Sequence, residues 1–356
     1  VGTFWLPGYE FAAGRVEANL ELSLGLAIAV FAVAAVVIAT AGVRMTAIAD
    51  RLADRTGLGE ALTGGLLLGM STSLSGTVTS VTAAAGGHAS LAVSNAIGGI
   101  AVQTVFLVVA DIVYRRANLE RAGPDVRHLL QTALLILMLA LALGAYLAPD
   151  IALFAIHPVS VILFCVYLGG MTMAGRLSRQ PTWEPQSSPD MRLDQPEKDA
   201  HKLPLPNLML TFSGLALVLA LAGYAIAESG TIIAARAGIS QTILGALLTA
   251  TITSLPELVT TLAAIRRNAL QLAIGGIVGG NTFDILFLPL SDLAYRDGSI
   301  YEAILARDAL LIVAAIVMSA ILLLGLIVRH SKSIGFEGYA ILATYVVLVA
   351  MQIGWG

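Results

Sequence analysis

Charge is what this chain has least of. Only 12% of its 356 residues are Asp, Glu, Lys or Arg, against about 25% in a typical soluble domain. That scarcity excludes a water-soluble globular fold. Cysteine is nearly absent too. Cys165 stands alone in an apolar run, so no disulfide can form within the chain and no thiolate metal site is suggested. There is no nucleophile–base pairing and no phosphate-cradling loop, and enzymatic chemistry finds no support. The first 20 residues lack the basic stretch and short apolar core of a cleavable signal peptide. Phe4, Trp5 and Tyr9 instead suit the headgroup level, and residues 1–20 read as an extracellular interfacial segment. Trp183 and Trp355 read as linker and interface aromatics.

What the chain has in abundance is apolar length. Hydrophobic residues make up 57%, gathered into ten runs: about 21–43, 57–85, 89–114, 128–148, 151–175, 206–228, 238–265, 269–295, 303–328 and 335–354. Runs of this length span a bilayer as helices, so the expectation is an all-α polytopic membrane protein with ten transmembrane helices. The 35 glycines suit close helix packing in lipid. Residues 176–205 are polar, charged and proline-rich, a linker between a five-helix half at 21–175 and another at 206–356. The stretches after runs one, three, five, seven and nine hold 16 of the 20 Lys and Arg residues. The positive-inside rule then puts this linker in the cytoplasm and both termini outside, in a membrane of the prokaryotic cytoplasmic kind. The partners implied are the lipid bilayer and small inorganic cations, with no nucleic acid and no cofactor.

The two halves repeat. At an offset of 181 residues, Thr72-Ser73-Leu74 meets Thr253-Ser254-Leu255, Gly98-Gly99 meets Gly279-Gly280, Phe106 meets Phe287 and Asp111 meets Asp292. One offset held through two helices and their loop marks a duplicated unit, at 57–114 and 238–295. With five spans per half, the second copy enters the membrane from the opposite side. Inverted repeats of this kind place a substrate site at the midplane, between discontinuous helices, here helices 2 and 7. Backbone freed by a break is tolerated where it lines a cavity.

Two carboxylates lie deep in apolar runs. Each stands beside helix-loosening residues: Glu257 follows Pro256, and Asp284 follows Gly279 and Gly280, with Asn281 between. An Asp at the centre of a membrane helix costs about 2.5–3.5 kcal/mol on insertion scales, so a chain that keeps two has a use for them. Thr253 and Ser254 stand one turn before Glu257. Together these are oxygen ligands of the type that hard cations such as Na⁺ and Ca²⁺ require.

The run GALLTATITSLPELVTTLAAIRRNALQLAIGGIVGGNTFDILF resembles the alpha-repeat of the calcium/cation antiporter superfamily, which includes the sodium/calcium exchangers. The family pattern is T-S-x-P-E-L on one broken helix and G-S-N-(x)2-(N/D) on the next. The resemblance implies alternating-access exchange of sodium or protons against calcium or a related cation. Carried over by motif position, it implies cation ligands at Thr253, Ser254, Glu257 and Asp284, with Thr72, Ser73 and Gln103 from the first half. It also implies backbone carbonyl ligands at Gly69 and Ala250.

The first alpha-repeat is degenerate. Where the family has a glutamate stands Gly76, where it has the preceding proline stands Ser75, and where it has an asparagine stands Gln103. The serine of the G-S-N run is Gly99 in one half and Gly280 in the other. Two carboxylates balance one Ca²⁺ but compensate several Na⁺ ions less well. Loss of a bidentate ligand also weakens a site that wants six to eight oxygens. Exchange of Na⁺ and H⁺, or of another monovalent cation, is therefore the second reading. A transport-inactive sensor or scaffold is the third.

Each singled-out residue has a plainer reading as well. Glu257 and Asp284 could be a protonated structural pair bonding helix ends, and Gln103 an interhelical hydrogen bond. The row of hydroxyls from Ser71 to Thr82 serves packing in most helices. Asp111 and Asp292 anchor helix ends, Asn281 bonds a freed backbone group, His88 is exposed and idle, and Gly76 breaks its helix in place of a proline.

Overall fold

A computed structural model of the chain describes residues 23–56, 71–114, 126–149, 151–179, 204–266, 270–328 and 335–354. These residues are almost entirely helical. In chain order the helices are α1 (Leu24–Thr56), α2 (Leu74–Ala85), α3 (Ala89–Tyr114), α4 (Val126–Leu147), α5 (Pro158–Arg179) and α6 (Leu205–Ala237). Then follow α7 (Gln241–Thr253), α8 (Leu255–Arg266), α9 (Leu270–Asp284), α10 (Phe287–Ala294), α11 (Ala306–Val328) and α12 (Phe336–Gly354). Among the described residues, eight spans are long and apolar enough to cross a membrane, or nine with the bent pair α7–α8 counted as one. The remaining expected span, 57–85, is described only from residue 71. The interfacial segment 1–20, most of the linker 176–205 and Gly69 lie outside the described residues.

Burial runs opposite to that of a soluble protein. Leu210, Leu147 and Val33 are exposed, while Thr79, Asn95, Gln103, Thr249, Glu257 and Asp284 are buried. A molecule whose outer surface is solvated by lipid gains nothing by hiding leucine, and has to satisfy its polar groups inside.

Two helices run past their expected ends. α1 and α6 have 33 residues each, about 50 Å at 1.5 Å per residue, against a hydrocarbon core of about 30 Å. They pack along one another and cross the broken helices at two glycines. A Cβ on Gly42 of α1 would lie 2.8 Å or less from the ring of Pro256, and one on Gly223 of α6 would lie 2.6 Å from the carbonyl of Ser75. Gly42 and Gly223 are 181 residues apart, as are Ser75 and Pro256. The duplication thus reappears as one crossing made twice, each time between opposite halves.

The breaks themselves also repeat. α2 starts after Ser73 (φ −84°, ψ 0°) and α8 after Ser254 (φ −95°, ψ 4°). Both sit in the sparsely allowed bridge region. Pro256 explains the second break, because its missing N–H leaves the carbonyl of Ile252 without its helical donor. That carbonyl instead takes the N–H of Ser254, and α7 and α8 meet at 44°. In the first half the break comes at Ser73, and Gly76 lies inside α2. Gly76 thus stands just past its break, as Pro256 stands just past Ser254.

One discontinuity was not expected. α9 ends at Asp284, two residues turn, and α10 begins at Phe287. Pro289 is the cause: it cannot donate to Ile285, whose carbonyl accepts from the N–H of Leu288 at 3.2 Å instead. The first half has Val108 at that position, and α3 is continuous for 26 residues. Gly279 and Gly280, expected to loosen the helix, lie within unbroken α9. Before its bend α7 also carries a π-helical turn at Leu244–Thr249, a feature that recurs at functional sites.

Candidate cation site

The breaks after Ser73 and Ser254 and the end of α9 at Asp284 converge in the interior. Ser73, Gly76, Asn95, Gly99, Gln103, Thr253, Ser254, Glu257, Asp284 and Phe287 line one pocket, closed to less than the room a water molecule needs. Five of the polar candidates from the motif, namely Thr253, Ser254, Glu257, Asp284 and Gln103, thus meet in one place, with Ser73 opposite. The two carboxylates come from different helices, α8 and α9, and both are buried.

Their surroundings differ. Asp284 is supplied with donors: the Ser73 hydroxyl donates to Oδ1, and Gln103 Nε2 donates to Oδ2 at 2.6 Å. Gln103 Nε2 also reaches Ser254 Oγ at 3.1 Å. Glu257 is not supplied. Thr72 is the side chain facing it, yet neither Oε1 nor Oε2 has a hydrogen-bond partner of sound geometry among the described residues. Among the described residues Gln103 Oε1 is likewise buried without a donor. A buried carboxylate with no partner costs several kcal/mol, so Glu257 has to carry a proton or face a cation. A pocket whose orphaned atoms are all oxygen acceptors is suited to a proton, a hydrogen-bond donor or a cation.

Two glycines border the Asp284–Gln103 pair. A Cβ on Gly99 would lie 3.7 Å from Ser254 Oγ and 3.8 Å from Asp284 Oδ2, and one on Gly280 would lie 3.3 Å from Gln103 Oε1. The contacts at Gly99 are ordinary van der Waals ones that a Cβ could make, whereas the one at Gly280 is tight, so it is glycine at 280 that leaves the Gln103 amide its room.

Three motif expectations need correction. The carbonyl of Ala250 accepts from Ser254 N at 3.1 Å and from Thr253 Oγ1 at 3.3 Å, so it caps the end of α7 and does not face the pocket. Asn281 bonds the Thr104 hydroxyl at 3.1 Å and no freed backbone group. His88 is half-buried and lies 2.8 Å from Gln241 Nε2, not idle. Burial lowers its pKa, and the nearby charge of Glu228 works the other way. Asp292 does anchor a helix end: it accepts from His157 N, Ser160 Oγ, Ser299 Oγ and Ile300 N.

Two residues of the pocket were missed. Asn95 ties three helices together, donating to the carbonyl of Gly76 at 3.2 Å and to Ser80 Oγ at 2.9 Å, and accepting from Thr249 Oγ1 at 2.8 Å. The available signal was an amide in the middle of an apolar run. Phe287 had no signal, since an aromatic in a membrane helix is ordinary.

Comparison with known proteins adds to this geometry. The sequence profile of the sodium/calcium exchanger proteins matches residues 26–174 and 207–354, nearly the whole of both halves. An uncharacterized membrane protein of Methanocaldococcus jannaschii is 32% identical over 149 residues, which is 40% of this chain and 46% of that protein; the match spans less than half the length of that relative. The protein CaxA of Alkalimonas amylolytica, named as a candidate antiporter, is 26% identical over 307 residues, covering 84% of this chain and 89% of that one. Among solved structures, an H⁺/Ca²⁺ exchanger, CAX, aligns with a TM-score of 0.69 at 13% identity, over 92% of this chain and 85% of that one. The sodium–calcium exchanger NCX_Mj aligns with a TM-score of 0.57 at 19% identity, over 92% and 99%. At those identities the two likenesses speak to the fold.

Proposed function

The chain belongs to the sodium/calcium exchanger family, and from that premise we propose that it is a secondary-active antiporter moving Na⁺ or H⁺ against Ca²⁺ or a related cation through the pocket between Glu257 and Asp284. It is a transporter and not an enzyme. The observation that carries the reading is the Glu257 carboxylate, buried with Thr72 facing it but no hydrogen bond of sound geometry among the described residues, beside a second carboxylate that is held by donors. Glu257 takes the proton or the incoming cation. Asp284, Ser73, Ser254, Thr253 and the Gln103 amide oxygen complete an oxygen shell as their mutual hydrogen bonds are given up. Thr72, facing Glu257, is assigned to the same shell. The breaks after Ser73 and Ser254 allow the pocket to open to either side in turn.

The charge pattern supports an orientation with both termini outside and the 176–205 linker in the cytoplasm. Exchange of monovalent cations alone is the second reading. It is favoured by the neutral first half, where Gly76 stands at the repeat position of Glu257.

The test is ion flux in proteoliposomes under imposed Na⁺, H⁺ and Ca²⁺ gradients. Counter-transport of Ca²⁺ against Na⁺ or H⁺ is the expected result, and Na⁺/H⁺ exchange without Ca²⁺ movement would select the second reading. Absence of gradient-driven flux under every pair would sink both.

A further inference from the structure

The first half lends the pocket no carboxylate, and the space that one at its repeat position would need is not vacant. The repeat sets Gly76 at the position of Glu257. A Cβ on Gly76 would lie 2.9 Å from Cε2 and 3.3 Å from Cζ of Phe287, with Thr253 Oγ1 at 3.6 Å. Phe287 is buried and lines the pocket. Its ring is braced edge-on by Phe283, with centroids 6.3 Å apart and planes at 81°, and Phe283 is braced in turn by Tyr167 at 6.1 Å and 74°. The repeat mate of Phe287 does not do this. Phe106 packs in an apolar cluster with Leu107 and Ile274. Phe287 is the first residue after the turn that Pro289 imposes, and α3 has no such turn. The ring's position is therefore a second-half feature that breaks the symmetry of the site.

We infer that Phe287, seated against Gly76, determines the specificity of the exchanger: its ring fills the lobe opposite Glu257 and limits the pocket to the two negative charges of Glu257 and Asp284. Glycine at 76 is the steric condition for that ring, and a larger side chain and the ring exclude each other. The charge limit has a consequence for the cargo. Two carboxylates are neutralised by one divalent cation or by two monovalent ones, so a turnover that exchanges one for the other moves no net charge. This inference rests on the proposed antiport at Glu257 and Asp284.

Four proteins test it: wild type, Phe287→Ala, Gly76→Glu and Gly76→Glu with Phe287→Ala. Thermal unfolding in detergent comes first, because it reads the lobe without any transport. Gly76→Glu alone is expected to lower Tm or to prevent folding. Adding Phe287→Ala is expected to restore Tm to that of Phe287→Ala alone, a coupling diagnostic of direct contact. Equal damage from Gly76→Glu with and without the ring would overturn the inference, even if the wild type transports. Calorimetric titration with Ca²⁺ comes second. The folded double variant is expected to bind about tenfold more tightly than Phe287→Ala, since ligand charge count sets affinity at such sites. Unchanged affinity would overturn the inference as well. Third, wild-type exchange in proteoliposomes is expected to be insensitive to an imposed membrane potential, whereas potential-dependent exchange would overturn the two-charge limit. Absence of any wild-type flux would instead strike the antiport reading, leaving the thermal coupling to stand or fall separately.

Discussion

At the scale of single residues, the site depends on two acids in unequal settings. Asp284 is satisfied by Ser73 and Gln103 in the closed pocket, and Glu257 has no such support. Replacing Glu257 by Gln keeps the shape, adds a donor and removes the charge. Glu257→Gln is therefore expected to abolish counter-transport, by at least about 100-fold if cation binding loses the roughly 3 kcal/mol or more that a removed charge partner is worth. Its Tm should be equal to or above that of wild type, because an orphaned buried carboxylate has been relieved. Flux in proteoliposomes and thermal unfolding on the same preparation check both halves of this. The residues of the site that sequence made legible are the ones whose chemistry clashes with a membrane: an acid, an amide or a hydroxyl motif in an apolar run has to be explained, so Glu257, Asp284, Gln103 and Ser254 stood out. Phe287 could not stand out, because its meaning lies in what it touches. Gly76 was visible as a loss of charge, but its role as the seat of a ring depends on a contact across 211 positions of sequence. The carbonyl of Ala250 is engaged by Ser254 N, a partner set by how the helix ends and invisible in the motif.

At the scale of elements, proline and glycine divide the work. Pro256 and Pro289 remove donors and create the turns that bring Glu257 and Asp284 to their helix ends. Gly42 and Gly223 remove side chains and let the two long helices cross closely at Pro256 and at Ser75, just past the two repeat-related breaks. The second proline was plain in the sequence, yet the break falls at 285–286 and not at the glycines 279 and 280, because a glycine inside a packed helix keeps its N–H donor and Pro289 has none. The break after Ser73 shows the reverse. It persists without a proline, held by the same dihedral region as its mate. Substituting Gly42 or Gly223 by Val is expected to lower stability by about 1–3 kcal/mol through overpacking. Gly144→Val is the control, since a Cβ there meets nothing within 4 Å. Thermal unfolding of the three variants in one detergent gives the comparison. Equal loss in all three would show that the crossings are not tight.

At the scale of the whole molecule, the two halves share one polar interior, and each supplies what the other lacks. Ser73 and Gln103 of the first half hold Asp284 of the second. The membrane-spanning helices and their duplication could be read from run lengths and the constant offset, whereas the mutual embrace of the halves required coordinates. The glycine crossings give this architecture a consequence for how the protein is made. The helix that Gly42 receives, at Pro256, is synthesised some 200 residues later, and the helix that Gly223 receives, at Ser75, has by then been waiting for a partner. The first five helices thus enter the membrane with their broken segment uncovered, and neither copy of the ancestral unit is a finished protein. Residues 1–190 and 191–356, expressed as separate chains cut within the linker, are expected to be degraded singly and to co-purify as a folded pair when made together. Stable accumulation of either piece alone would contradict this. Each half is, in effect, the other's assembly factor.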